Sequence, residues 1–116
     1  MLHTNLKHVL SADEHKRLIS ENENVMICCG RMGPMCIPVY AAMSNLQNEY
    51  DQIIFADMEF DIPDAAVIRE DPACHGFMGL PFVVYYRHGK LVHATGGIQS
   101  EDQIRAILED KLPGEK

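Results

Sequence analysis

Apolar positions along the chain fall into two rhythms, short continuous runs and longer stretches where they recur every three or four residues. Leu6–Leu10 is the first run and predicts a short strand. Ser11 follows as a helix N-cap, and Glu14 completes a capping box with it, so a helix is predicted over about Ala12–Glu21. His15, Leu18 and Ile19 are available to its inner face, and Asn22–Asn24 supplies the next turn. Val25–Cys29 is apolar at every position, the pattern of a central strand covered on both faces. Gly30–Gly33 then crosses into a second helix, with Pro34 in a first turn that needs no intrahelical N–H donor. Met35, Val39, Ala42, Met43, Leu46 and Tyr50 form the apolar stripe of that helix, which Pro38 would bend if the helix already runs through it.

Ile53–Met58 predicts another strand, followed by a Pro-containing acidic bend and a short helix over Asp64–Glu70. Ala73–Gly79 reads as a loop. Phe82–Tyr86 and Leu91–Thr95 form a hairpin around Arg87–Lys90, where Gly89 can take a positive φ. Gly96-Gly97 ends the edge strand. Ser100 and Gln103 make a second capping box, opening a last helix whose buried face is Ile104, Ile107, Leu108 and Leu112. The order strand–helix–strand–helix–strand–helix–strand–strand–helix is α/β, a central mixed sheet with helices on both faces and a C-terminal hairpin plus helix. The 116 residues are expected to make one domain, 1–116.

Composition narrows the functional classes. Seventeen acidic against ten basic residues give a formal charge of -7 with no basic cluster, which argues against nucleic acid or an anionic membrane as partner. No apolar run approaches the roughly 20 residues of a membrane span. The first residues lack a basic region followed by a long apolar segment, so a cytoplasmic, reducing compartment is expected. In such a compartment four cysteines serve as thiols, as metal ligands or in a catalytic cycle more often than as staples. No Gly-x-Gly-x-x-Gly run supports a dinucleotide, and no cofactor is expected.

Cys36 is the main reactive candidate. With Met32 or Gly33 capping the helix it falls in the first turn, where unpaired N–H groups and the helix dipole favour a thiolate, and Arg31 adds positive potential. The alternative is a small apolar side chain packed beneath the turn. Cys28 and Cys29 are neighbours on a strand and point to opposite faces, so at most one approaches Cys36. Cys29 is nearer the crossing and is the expected partner, with Cys28 structural; a disulfide between Cys29 and Cys36 requires Cα atoms within about 7 Å. Cys74, beside His75, is either a second resolving thiol, a partner in an intermolecular disulfide or a structural residue. Asp57, Glu59 and Asp61 alternate along a strand edge and are read as solvated carboxylates. His3, His8, His15, His88 and His93 show no motif spacing.

Taken together, Arg31-Met32-Gly33-Pro34-Met35 after a central strand, and Leu80-Pro81 before a later one, resemble the thioredoxin family. The first segment aligns without a gap on Trp-Cys-Gly-Pro-Cys, and Pro81 on the cis-proline that faces those cysteines across the substrate groove. The resemblance covers nearly the whole chain and implies a thioredoxin-like fold. It also implies thiol–disulfide exchange with protein substrates or redox partners, a reductase among them. The departures fall on the active site. Both motif cysteines are methionines, which have no acidic proton and cannot attack a disulfide. The family's buried acid is Met26, its paired lysine Asp57 and its helix-kinking proline Tyr40. No single alignment places both cysteines on the motif, so the expected catalytic pair is Cys36 as attacking thiolate and Cys29 as resolving thiol, or the reverse, with a substrate groove of Arg31, Met32, Gly33, Pro34, Met35, Met78, Leu80 and Pro81. Two other readings stay open: a non-catalytic module that grips a protein partner through Met32, Met35, Phe77 and Met78, and a Cu(I) site of thiolate and thioether sulfur.

Overall fold

The computed structural model describes residues 2–113. Five strands form one sheet in the order β1-β3-β2-β4-β5. They are β1 (Lys7–Val9), β2 (Asn24–Gly30), β3 (Ile53–Glu59), β4 (Phe82–Arg87) and β5 (Lys90–Gly96). β2 is central, parallel to β3 and antiparallel to β4, with Cys28 beside Asp57 on one neighbour and Val83 on the other. All seven of its residues are buried, which explains why its sequence shows no alternation.

The long helices are α1 (Ala12–Glu21), α2 (Ile37–Leu46) and α4 (Glu101–Lys111); α3 (Ala66–Arg69) is a single turn preceded by a 3₁₀ turn at Pro63–Ala65. The segment 64–70 is thus a broken helix, started by Pro63. α4 has the full reciprocal box between Ser100 and Gln103. In α1 only half the box forms: Ser11 accepts from the Glu14 N–H, but the Glu14 carboxylate accepts from the Leu10 N–H at 2.7 Å. The β4–β5 turn places His88 and Gly89 both at positive φ, the two-residue geometry that matches strand twist.

Helix α2 begins later than the sequence suggests. Residues 34–36 make a turn, closed by Cys36 N–H and Ile37 N–H on the Gly33 carbonyl at 3.0 Å each. Pro38 cannot donate the next bond in the ladder, so the regular helix starts at Ile37 with Pro38 in its first turn and Cys36 as its N-cap. Pro34 therefore precedes the helix. Met35 drops out of the buried stripe, and Cys36 and Tyr40 join Val39, Ala42, Met43 and Leu46 inside.

The side chains divide into two cores. One lies between the sheet and α2 with α4, containing Met26, Cys28, Cys36, Tyr40, Val83 and Tyr85. The other lies under α1 and α3, containing Val25, Ile27, Cys29, Ile68, Cys74 and Tyr86. Among the described residues no helix is long and apolar enough to cross a membrane.

Candidate functional site

The end of β2 and the start of α2 meet at Gly30. A side chain there would lie 2.8 Å from Cys36 Sγ, 2.9 Å from Tyr40 Oη and 3.1 Å from Pro81 Cβ. Only glycine leaves room for these three groups to converge. The Cys36 sulfur accepts a hydrogen bond from the Arg31 backbone N–H at 3.4 Å, and it sits at the N-terminus of α2, where the dipole favours negative charge. Cys36 is 2% exposed.

Pro81 is held from the other side. The Leu80–Pro81 peptide bond is cis, and the Pro81 carbonyl accepts from Gly97 N–H at 3.0 Å. Upstream, the Phe77 ring occupies the space above Gly96, where a side chain would come within 2.7 Å of it, and packs edge-on against Phe82 at 5.4 Å. This anchors the loop carrying Met78, Gly79 and Leu80. Met78 itself is 99% exposed.

Several expected placements change. Cys29 belongs to the core opposite Cys36 and is not brought to it, because one residue along a strand reverses the face. All four cysteines are free and buried. Cys28, expected to be structural only, shares the core of Cys36. Burial pushes its thiol well above the ordinary range, with Cys36, Cys29 and Asp57 adding to the shift. Burial likewise raises Cys29 to about 12, opposed by Arg69, and Cys74 to about 11. Cys74 lies with Cys29, on the far face from Cys36.

The Arg31 charge is engaged first by Asp61 and only secondarily by the sulfur. Its guanidinium makes two hydrogen bonds to Asp61, at 2.8 and 2.7 Å, and lies over the Phe60 ring at 5.3 Å. Toward Cys36 it contributes its backbone amide and, as a smaller influence, its charge. The methionines stay outside: Met32 lines a hollow with His3, Ile37 and Tyr40, and Met35 is exposed while Cys36 faces the core. No three His, Cys, Asp or Glu side chains gather as metal ligands among the described residues.

Sequence reading misses two features here. Asp57 is not a solvated edge residue, since β3 runs between β1 and β2. It is 1% exposed, accepting from the Thr4 hydroxyl and bonded to His8 Nδ1 at 2.7 Å. Burial raises its carboxyl above the usual value, and the bonds to Thr4 and His8 oppose that. Tyr40 enters the sequence reading only as the replacement of a proline; its spacing of four from Cys36, one helical turn, is the signal that could have found it.

Comparison with solved structures identifies the fold that carries these residues. The chain is similar to Plasmodium falciparum thioredoxin, at 20% identity and a TM-score of 0.73 over 91% of this chain and 99% of that one. It is similar to mitochondrial thioredoxin 3 from Saccharomyces cerevisiae in its oxidized form, at 19% identity and a TM-score of 0.75 over 90% and 94% of the two chains. Thioredoxin f2 of Chlamydomonas reinhardtii matches at 14% identity with a TM-score of 0.77, over 96% of this chain and all of that one. No family model and no curated protein sequence matches the chain. A five-stranded mixed sheet flanked on both faces by helices, superposing over nine-tenths of its length on thioredoxins from three organisms, is the thioredoxin-like fold.

Proposed function

We propose that the protein carries out thiol–disulfide exchange with protein substrates through Cys36 alone. The observation that carries this is the convergence of Cys36 Sγ and Pro81 on Gly30, with the Arg31 amide donating to the sulfur. In the exchange step the Cys36 thiolate attacks a disulfide of an extended substrate lying beside Leu80 and Pro81. A bond forms between Cys36 and one substrate sulfur, the substrate disulfide breaks, and the second substrate sulfur leaves as a thiolate that takes a proton from water. Cys29 is on the wrong face to resolve this mixed disulfide, and burial leaves Cys28 almost wholly protonated. The resolving thiol therefore comes from a partner, either a second cysteine of the substrate or a small soluble thiol, in a reducing compartment such as the cytoplasm.

Exposed Met32, Met35, Ile37 and Met78 favour a second reading, a module that holds a protein partner without exchange. One experiment separates the two. The native protein is treated with an aromatic disulfide reagent and the modified cysteine mapped by mass. Exchange predicts a single mixed disulfide on Cys36, lost in Cys36→Ser and kept in Cys29→Ser. Cysteines that label only after unfolding would leave the binding module.

A further inference from the structure

We infer that the Tyr40 hydroxyl is the hydrogen-bond donor that holds Cys36 as a thiolate, working opposite the Arg31 amide. The inference rests on the reading of Cys36 as the attacking thiol. Tyr40 follows Cys36 by one turn of α2 and is 4% exposed, and its hydroxyl is buried with no hydrogen-bond partner. A hydroxyl without a partner in an apolar core opposes folding, and a phenylalanine would fill the same space without that cost. Its position gives it a use. Cys36 Sγ and Tyr40 Oη lie 2.8 and 2.9 Å from the same point above Gly30, so their separation cannot exceed the sum of these distances. A side-chain rotation within that range brings the O–H onto the sulfur.

The electrostatics agree with a donor. Burial pushes the Tyr40 hydroxyl far above its ordinary pKa, and nearby Cys28, Cys36 and Asp57 push the same way, so the phenol keeps its proton. A neutral thiol accepts such a bond weakly, whereas a thiolate accepts it as a charge-assisted one. The hydroxyl therefore acts selectively on the reactive form. In the step, Cys36 gives its proton to solvent and its thiolate is held by the Arg31 N–H and the Tyr40 O–H. As the sulfur attacks the substrate disulfide the negative charge passes to the leaving sulfur. Tyr40 keeps its own proton throughout.

The test compares wild type with Tyr40→Phe in alkylation of Cys36 by iodoacetamide across neutral and alkaline pH, with thermal unfolding followed in parallel. Removing one hydrogen bond to a charged sulfur should slow alkylation near pH 7 by roughly tenfold and displace the pH–rate profile upward, while stability stays equal or rises. Thiolate ultraviolet absorbance should move to higher pH with it. A reactive Cys36 whose rate and profile are unchanged in Tyr40→Phe overturns the inference alone. So does a variant that loses stability, because the hydroxyl would then have a structural partner. A folded wild-type protein whose Cys36 does not react overturns the exchange reading and the inference together.

Discussion

The two faces of the sheet treat buried hydroxyls differently. Toward α1 and α3, His15 Nε2 and the Tyr86 hydroxyl are bonded at 2.9 Å, and Arg69 donates to the carbonyls of Phe60 and Ile62. Toward α2 and α4, the hydroxyls of Tyr40, Tyr85 and Thr95 are buried without partners. Thr95 belongs to that face because it stands opposite Val83 in the β4–β5 ladder. Tyr85 and Tyr86 are both buried, so exposure does not account for the difference. The face with unpartnered hydroxyls is the one that holds Cys28 and Cys36. Polar groups kept there at a cost to stability are what a site requires and a structural core does not.

If the faces differ only in their polar groups, aliphatic cavities should cost the same on each. Leu108 and Ile68 are both fully buried, one in each core. Leu108→Ala and Ile68→Ala should each lose roughly 2–5 kcal/mol in urea unfolding, from lost transfer free energy plus the cavity left behind. A cost below about 1 kcal/mol at either position would mean that core collapses around the gap. The comparison would then rest on packing rather than on polarity.

The fold was legible because its signals are local and repeated: an all-apolar run for β2, two capping residues, a hairpin turn with Gly89, and one stripe from Val39 to Leu46. The site was legible only in part, because it depends on phase. Extending the stripe back from Val39 to Met35 assumes a helix through Pro38. The missing proline N–H instead starts the helix at Ile37 and turns Cys36 inward. The opposite orientations of Cys28 and Cys29 can be read from strand geometry. Which of the two faces α2 covers cannot, since that depends on how the chain crosses at Gly30. Asp57 escapes sequence reading for a related reason: nothing local to Ile53–Glu59 tells that β1 pairs outside it.

A sharper test uses two adjacent residues. Tyr85 and Tyr86 have similar burial and point to opposite faces, and only Tyr86 has a partner. Tyr86→Phe leaves His15 Nε2 buried and unpaired and should cost about 1–3 kcal/mol. Tyr85→Phe removes an oxygen that bonds to nothing, and should leave stability unchanged or raise it by up to about 1 kcal/mol. Parallel denaturant titrations read both. Equal losses would show that Tyr85 has a partner, such as bound water, and would erase the contrast between the faces.

The smallest expected effect concerns Asp57, a partnered group on the face of Cys36. Burial raises its folded carboxyl above the unfolded value of 3.8 by more than Thr4 and His8 lower it. Between those two values the folded protein holds a proton that the unfolded chain has lost, so the Asp57 contribution to stability falls as pH rises through that interval. It is fully present below 3.8 and lost above the folded value. The amide introduced by Asp57→Asn resembles the protonated acid at every pH: it still accepts from Thr4 and carries no charge to desolvate. The two proteins should therefore match in acid, with Asp57→Asn gaining on wild type as the pH approaches neutrality. Urea unfolding at a series of pH values measures the difference directly. Should wild type gain instead, the bonds from Thr4 and His8 outweigh desolvation, and Asp57 is a stabilising ion pair rather than a buried charge held at a cost.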